Sequence, residues 1–417
     1  MMMKKLSLSI LRLRDFRILL FTRICVIMAL QAQAVIVGWQ VYSLTKDPFL
    51  LGLTGLTEAL PALAGALFAG HIVDTGHPRR IYVLCVGMLA LNIFGLLTVA
   101  GGLIALPKAS IIMFIFIGVF ISGLTRSFIS PATFALRLRI VPRAEIPAAT
   151  AWLSSGAQTA FIGGPALAGL VYGGYGAHGA WMLPALMISM AFVLTNFLHV
   201  KHAPHTEKRE PTLQSIIAGW SFILKTPVLL SLMALDMFAV LFGGAVAMLP
   251  AYADQVLHVG SEGLGALRAA PALGAVTTAL FLAVSPMKRI TALRMLWAVA
   301  GFGLCMVGFG LSTSFWLSML LLIASGTFDS VSMLIRSTLM QLLTPDNMMG
   351  RVSAINSMFI ISSNEIGAFE SGTAARLLGL VPSVIFGGCM TLLIVAGTAF
   401  ASPKLRRTVV EADGRQN

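Results

Sequence analysis

The chain has 417 residues, of which 57% are hydrophobic and only 11% are charged, and its mean hydropathy is +0.89. A soluble domain usually carries about a quarter charged residues, so these values exclude an ordinary soluble globular protein. The formal net charge of +13 would by itself also fit a nucleic-acid-binding protein. The placement of the basic residues, described below, decides against that class.

Apolar stretches recur from one end of the chain to the other, and each is close to the roughly 20 residues that a helix needs to cross a bilayer. The alternation of period two that a membrane β-barrel shows is absent from them. The sequence therefore predicts an all-α membrane protein with twelve transmembrane helices. In chain order these cover residues 17–44, 49–72, 80–105, 110–138, 146–173, 178–199, 227–252, 261–284, 290–312, 315–342, 349–376 and 381–401.

Basic residues are divided unevenly between the two ends of these spans. With both termini in the cytoplasm, only Lys46, Lys108 and Arg376 of the 29 Lys and Arg residues fall on the opposite side, and three arginines lie inside spans. This asymmetry is the positive-inside pattern of a bacterial inner-membrane protein. We therefore expect both termini in the cytoplasm, and we interpret the positive charge as membrane topology rather than nucleic-acid binding.

Neither a metal site nor a cofactor site is indicated. The four cysteines, Cys25, Cys85, Cys305 and Cys389, fall within apolar spans and share no spacing, which is typical of small hydrophobic core residues. No glycine-rich phosphate-binding loop is followed by Lys-Ser or Lys-Thr, which argues against ATP as the energy source. The sequence predicts neither an enzyme nor a protein with a bound metal or cofactor.

One polar segment interrupts the apolar pattern between the sixth and seventh spans. Its second part, TLQSIIAGWSFILKTP, has the pattern of a short amphipathic helix lying on the membrane surface. The sequence thus predicts an N-terminal six-helix bundle at 1–199, a cytoplasmic linker at 200–226, and a C-terminal six-helix bundle with a short cytoplasmic tail at 227–417.

The two halves of the chain resemble each other. The segment GLTRSFISPATFALRLRIVPRAEIPAATA (123–151) aligns with GTFDSVSMLIRSTLMQLLTPDNMMGRVSA (326–354) at an offset of 203 residues, which pairs Gly123 with Gly326. Internal repeats of this kind are typical of secondary transporters, in which the substrate path lies between the halves.

Six plus six helices joined by a central cytoplasmic loop resemble the major facilitator superfamily. The stretch GHIVDTGHPRRI (70–81) resembles the superfamily's loop between its second and third helices, although several positions depart from the usual residues. The resemblance implies a conformational latch, in which a carboxylate at a helix end pairs with nearby arginines and releases them as the halves rock. The latch residues are Gly70, Asp74, Arg79 and Arg80.

In the fifth span, AFIGGPALAGL resembles a glycine-proline motif common in exporters, carried here by Gly164, Pro165 and Gly169. Small residues let two helices approach closely, so helix packing alone is the alternative interpretation. Segments in both halves, among them SIIAGWSFILKTP and LLTPDNMMGRVSAI, resemble the branch of the superfamily that contains the enterobactin exporter and related bacterial efflux proteins. That likeness implies export of a siderophore or a similar amphipathic metabolite.

Charged side chains inside the spans mark the candidate site, because an ionisable group near the bilayer centre costs at least about 2.5–3.5 kcal/mol to insert. The superfamily fold implies that helices 1, 4, 7 and 10 line a central cavity. The candidates for proton coupling are Asp236, Asp329, Glu58 and Glu365. The candidates for the substrate cavity or for charge pairs are Arg23, Gln31, Gln33, Arg126, Arg268 and Arg336.

Two interpretations of these charges stay open. In the first, Arg126 pairs with Asp329, or Arg23 with Asp236, as a gate without a role in coupling. In the second, a carboxylate takes up and releases the driving proton, because burial favours the protonated form of an acid and a neighbouring arginine favours the ionised form. Arg336 lies nearer the cytoplasmic end, and we expect its long side chain to reach water.

The segment ISSNEIGAFESG (361–372) places two carboxylates within the eleventh span. The superfamily fold implies that this helix packs beside helix 2, which would bring Glu365 towards Glu58. Two carboxylates close together in a low dielectric cannot both ionise cheaply, so such a pair would share a proton. A packing role, through hydrogen bonds to Asn364 or to the backbone, is the alternative.

The sequence as a whole predicts a proton-coupled secondary exporter of a small organic molecule, working by alternating access as a monomer in the lipid bilayer. Broad-specificity drug efflux and lipid flipping are the alternatives within transport. A non-transporting membrane receptor or assembly factor is the alternative outside transport, and the lack of a sizeable soluble segment argues against it.

Overall fold

The computed structural model describes residues 8–200, 212–285, 289–345, 348–402 and 409–411. These residues form thirteen α-helices: α1 Arg14–Thr45, α2 Pro48–Thr75, α3 Pro78–Val99, α4 Lys108–Ile140, α5 Ile146–Asn196, α6 Thr212–Lys225, α7 Pro227–Gly243, α8 Leu249–Gln255, α9 Gly260–Val284, α10 Ala292–Leu311, α11 Phe315–Leu343, α12 Met349–Leu378 and α13 Leu380–Ala401. Short 3-10 helices lie at Leu8–Arg12, Arg143–Glu145 and Ala245–Met248. Two short strands, β1 Arg289–Thr291 and β2 Val409–Glu411, pair antiparallel.

The predicted transmembrane spans are present as helices, the form in which a chain satisfies its own backbone hydrogen bonds inside lipid. In the described part of the chain, ten helical stretches are long and apolar enough to cross a membrane. One of them, Arg143–Asn196, contains both the fifth and the sixth predicted spans, and Gly176 breaks it between them. The backbone there has φ 65° and ψ −165°, a conformation essentially restricted to glycine. The more polar α12 is the eleventh predicted span, so the all-α fold with twelve spans is confirmed.

The seventh predicted span, 227–252, is not one continuous helix. α7 ends at Gly243, a 3-10 turn follows, and α8 begins at Leu249. Gly244 leaves helical geometry, with φ −77° and ψ 60°, and Pro250 in the first turn of α8 has no backbone N–H to continue the preceding helix. Hydropathy alone therefore predicted the span but missed its break.

The predicted amphipathic segment of the linker is a helix, α6, at Thr212–Lys225. The first part of that linker, 201–211, and most of the predicted tail, 403–408 and 412–417, lie outside the described residues.

The chain divides into two compact units. Unit 1 consists of the described parts of Met1–Lys46, Thr57–Glu207 and Gly260–Ala269. Unit 2 consists of the described parts of Asp47–Leu56, Lys208–Val259 and Ala270–Asn417. Each unit thus holds most of one half of the chain together with the first turns of a helix from the other half: the start of α9 in unit 1 and the start of α2 in unit 2. The domain boundaries predicted from the sequence, at residues 199 and 227, stay a prediction.

Each unit has its own apolar core. In unit 1, α1, α3, α4 and α5 meet around side chains such as Leu19, Tyr82 and Ile188, which have no exposed surface. In unit 2, α7, α10 and α11 meet around Leu232 and Leu339. Many large apolar side chains are nevertheless exposed, among them Leu91, Trp297 and Phe400, as expected for a surface that contacts lipid.

The repeat predicted from the sequence is visible in the helix crossings. A side chain at Gly123 would overlap the carbonyl oxygen of Glu58, and one at Gly326 would overlap that of Pro271. Gly164 approaches the Met28 carbonyl in the same way as Gly367 approaches the Leu241 carbonyl. In both comparisons the glycines lie 203 residues apart and their contact partners 213 residues apart. The two six-helix bundles therefore repeat the same close packing.

Candidate functional site

A buried ion pair lies in unit 2 between Asp236 on α7 and Arg336 on α11. Asp236 is 6% exposed and Arg336 is 5% exposed. The expectation that Arg336 reaches water was wrong. Arg336 lies two helical turns after Asp329, so the two side chains project from one face of α11, towards α7. The pairs predicted from the sequence joined residues of opposite halves of the chain, whereas both partners of this pair belong to the C-terminal half.

A small cavity of about 10 Å³ joins this pair to Asp329. Such a volume holds about one water molecule. Ser332, whose hydroxyl is buried and has no hydrogen-bond partner, also faces the cavity. The Asp329 side chain is exposed, and no side chain in the described ranges is paired with it. Two carboxylates therefore line one water-sized space, and the guanidinium of Arg336 is paired with one of them. The full lining of the cavity is Asp236, Ala239, Val240, Val299, Phe302, Asp329 and Ser332.

A second ion pair lies in unit 1, where Arg126 of α4 donates to Glu58 of α2 over 2.6 Å. The Glu58 side chain is 25% exposed and that of Arg126 is 51% exposed. This charge-assisted hydrogen bond is short, but water screens it far more than the pair in unit 2. The sequence analysis did not predict that Arg126 and Glu58 would pair.

Arg23 of α1 occupies the position in unit 1 that Asp236 occupies in unit 2, since the two are 213 residues apart. Its guanidinium is half-buried and faces Tyr82 and Arg137. Arg23 has no acidic partner in the described part of unit 1, and its Nε is buried without a hydrogen-bond acceptor.

The two candidate glutamines of α1 contact neighbouring helices of their own bundle. Gln33 is 4% exposed and donates to the Ser122 hydroxyl over 2.9 Å. Asn92 of α3 donates to the same hydroxyl over 3.0 Å. Gln31 packs its Cβ beside Gly164. The sequence reasoning missed Asn92 and Ser122, although an amide in the middle of an apolar span is itself a usable signal.

The remaining two charged candidates lie on α9 and α12. Arg268 is half-buried within the part of α9 that belongs to unit 1. Glu365 is half-buried on α12, and a side chain at Gly55 would contact its carboxylate. The start of α2 therefore packs against α12 within unit 2, while the approach of Glu365 to Glu58 stays a prediction.

The predicted latch residues lie at the junction of α2 and α3. Arg79 donates to the Asn196 carbonyl at the end of α5 over 2.8 Å, where a cation complements the helix dipole. Arg80 is exposed, and the space around Gly70 is open. Asp74 lies in α2, but its side chain is outside the part of the structure that is described.

The glycine-proline motif lies at two close helix crossings. Gly164 packs α5 against α1, where an added Cβ would come within 2.8 Å of Gln31 Cβ. Gly169 packs α5 against the start of α9, where an added Cβ would come within 2.6 Å of Gly265 Cα. Conversely, a Cβ at Gly265 would come within 2.8 Å of the Pro165 carbonyl oxygen. The motif thus brings backbones together, as small residues in membrane helices generally do.

Three of the four cysteines, Cys25, Cys85 and Cys305, are buried, whereas Cys389 is exposed on α13 and is not a core residue. Within the described ranges, no group of three or more His, Cys, Asp or Glu side chains is arranged to hold a metal ion.

Comparison with known proteins gives a consistent family. Residues 19–368 match the sequence profile of the Major Facilitator Superfamily. The chain is similar to the enterobactin exporter EntS of Shigella boydii serotype 4, at 25% identity over 404 residues, which is 96% of this chain and 95% of the relative. EntS of Escherichia coli O81 matches with the same identity and coverage.

Solved structures share the fold at low identity. A POT family transporter in complex with 5-aminolevulinic acid is similar with a TM-score of 0.75 and 13% identity, covering 94% of this chain and 97% of that one. A point mutant of the nucleoside transporter NupG is similar with a TM-score of 0.71 and 14% identity, covering 93% of this chain and 98% of that one.

Proposed function

Because this chain belongs to the Major Facilitator Superfamily, and is therefore a multi-pass membrane transport protein rather than an enzyme, we propose that it is a proton-coupled exporter. Its cargo is a small organic molecule of the siderophore or amphipathic-metabolite class, moved by alternating access between the two bundles. The likeness to enterobactin exporters along nearly the whole chain supports this cargo class. The protein needs no bound cofactor, since the proton gradient supplies the energy.

The observation that carries the coupling proposal is the cavity lined by both Asp236 and Asp329, of which Asp236 is paired with Arg336. One guanidinium neutralises one carboxylate, so the second acid, Asp329, has no basic partner and takes up a proton more readily than a paired acid does. When the proton passes from Asp329 to Asp236, Arg336 is released from Asp236, because the guanidinium can then turn to Asp329, the carboxylate that is still ionised. Proton uptake and release at this site would thereby alter the contact between α7 and α11.

The experiment reconstitutes purified protein in liposomes with a catecholate siderophore as the probe cargo, and follows internal pH and cargo together. We expect Asp329→Asn to abolish proton movement while cargo still binds. Glu262→Gln on α9, an exposed acid outside the cavity, is the matched control and should keep both fluxes.

Two results would contradict the coupling proposal. If the wild-type protein moves cargo without any proton flux, the cavity has a structural role only. If the Asp329→Asn variant keeps the wild-type proton flux, the coupling role belongs to Glu58 or Glu365 instead.

We also propose that the protein lies in a bacterial inner membrane as a monomer with both termini in the cytoplasm. The likeness to exporters of Gram-negative bacteria and the asymmetric placement of Lys and Arg support this. A C-terminal alkaline phosphatase fusion, which is active only outside the cytoplasm, should be inactive, and an active fusion would reverse the orientation.

A further inference from the structure

Three hydrogen-bond donors of unit 1 lie in one layer, at the end of the bundle where α1 begins. Arg23 lies between two and three turns into α1, Tyr82 lies in the second turn of α3, and Arg137 lies in the last turn of α4. Because consecutive spans alternate in direction, the starts of α1 and α3 and the end of α4 meet at the same end of the bundle. Arg23 interacts electrostatically with both other side chains.

Each of these three side chains has a buried polar atom without a hydrogen-bond partner. The atoms are Arg23 Nε, the Tyr82 hydroxyl and Arg137 Nε. Tyr82 has no exposed surface at all. Buried donors are normally satisfied, because leaving one unpaired forfeits the hydrogen bonds it makes with water in the unfolded chain. The two arginine atoms have no acceptor among the described residues, and the Tyr82 hydroxyl has only the Thr133 hydroxyl beside it, which together indicate that an acceptor is missing.

The electrostatics of the layer point to the same absent group. The guanidinium groups of Arg23 and Arg137 carry like charges at the same end of the bundle. Other contacts fix Arg137 in place, since its Nη1 donates to Thr150 over 3.0 Å and its guanidinium lies 4.8 Å from the centre of the Phe134 ring. No carboxylate in the described part of unit 1 is paired with Arg23 or Arg137.

In the equivalent layer of unit 2 the buried charges pair with each other. There Asp236 takes the position of Arg23. Arg336 takes the position of Thr133, which lies 203 residues earlier in the chain. Acid and base satisfy each other within the protein. In the described part of unit 1 no acid is paired with these cations, so an anion from outside the chain can complete the layer.

We propose that Arg23, Tyr82 and Arg137 bind an oxyanion, namely a carboxylate or phosphate group. Two guanidinium groups and a phenol supply directed donors and two positive charges, which suit the planar or tetrahedral oxygens of such a group. Arg23 and Arg137 are only half-buried, so the group has a way in. The oxyanion is carried either by a soluble molecule or by the headgroup of an anionic phospholipid. This proposal does not depend on proton coupling.

The test measures the thermal unfolding midpoint of the full-length protein in phosphatidylcholine nanodiscs, while sodium phosphate or citrate is titrated at constant ionic strength. We expect the wild-type midpoint to rise by a few kelvin as the ion binds the folded state. Arg23→Gln should lower the apparent affinity at least tenfold. Without added anion its midpoint should equal or exceed that of wild type, because the repulsion with Arg137 is gone.

Arg139→Gln is the matched control, since it removes the same charge from the same helical turn, and residues two apart on a helix point to different faces. It should keep the wild-type response. Tyr82→Phe keeps the aromatic packing and removes only the hydroxyl, so it should weaken the response about threefold. If Arg23→Gln does not fold, Tyr82→Phe and Arg137→Gln decide the question.

A second set of nanodiscs that contain phosphatidylglycerol distinguishes the two sources of the oxyanion. A shift with phosphate or citrate in phosphatidylcholine supports a soluble ligand, and a shift that requires phosphatidylglycerol supports a lipid headgroup. The proposal is overturned if neither probe shifts the wild-type midpoint beyond the salt control. It is equally overturned if the Arg23 and Tyr82 variants respond as wild type does.

Discussion

In unit 2, the pseudo-equivalent of Arg23 is an acid, Asp236, and Arg336 of the same unit holds it in a buried pair. In unit 1, Arg23 has no acidic partner in the described residues, while the close crossings at Gly123 and Gly164 are repeated in unit 2 at Gly326 and Gly367. A close helix crossing leaves no room for any side chain, so both copies of a duplicated chain must keep glycine there. A buried charge needs a group of opposite charge beside it. That group can be a different residue in each copy, or it can belong to a ligand.

The largest effect is expected where the buried pair of unit 2 is broken. Arg336→Met should lower the free energy of unfolding by about 3–5 kcal/mol, because Asp236 is then left as an uncompensated buried charge. Adding Asp236→Leu should recover most of the loss, since the pair is replaced by apolar side chains. Reversible denaturation of the purified protein in mixed micelles measures both. A double variant no more stable than Arg336→Met would show that Asp236 is not its energetic partner.

An intermediate effect is expected at the repeated helix crossings. Gly123→Ala and Gly326→Ala should each lower the free energy of unfolding by about 1–3 kcal/mol, because the added Cβ overlaps a backbone carbonyl that cannot move freely. Gly397→Ala on α13, where the surrounding space is open, is the control and should be neutral or slightly stabilising. A loss at only one of the two crossings would break the structural equivalence of the two units.

The smallest effect is expected at the exposed pair of unit 1. Glu58→Gln removes the charge from its contact with Arg126 and should cost about 0.2–1 kcal/mol of stability, less at high salt. The same denaturation assay at low and high ionic strength checks this value. A loss comparable with that of Arg336→Met would mean that the Glu58 pair is desolvated, and the contrast between the units would then disappear.

The spans were predictable because about 20 apolar residues leave a chain little choice in lipid. The sequence also predicted α6 and the internal repeat. It placed the break at Gly176 between two spans, but it missed the break near Gly244, because hydropathy averages over a window and does not register the φ and ψ of one residue.

The candidate charges were predictable one by one, whereas their partners were not. Asp236 and Arg336 were both identified, since a charge in an apolar span stands out by composition alone. Their pairing depends on how α7 and α11 are rotated about their axes, which the packing of the whole unit determines. The lack of a partner at Arg23 could be recognised only after the neighbours of its guanidinium were known.

The exchange of helix starts between the units has a consequence for biosynthesis. Gly169 of α5 packs against Gly265, a residue that the ribosome adds only after the linker and α7 and α8. Unit 1 is therefore incomplete when its own six spans have been inserted, and it has to wait for Gly260–Ala269. Unit 2 uses Asp47–Leu56, which is already in the membrane. A ribosome that stalls in the linker would thus leave unit 1 incompletely folded and open to degradation. The two units would complete their folding together, after the start of α9 has been inserted.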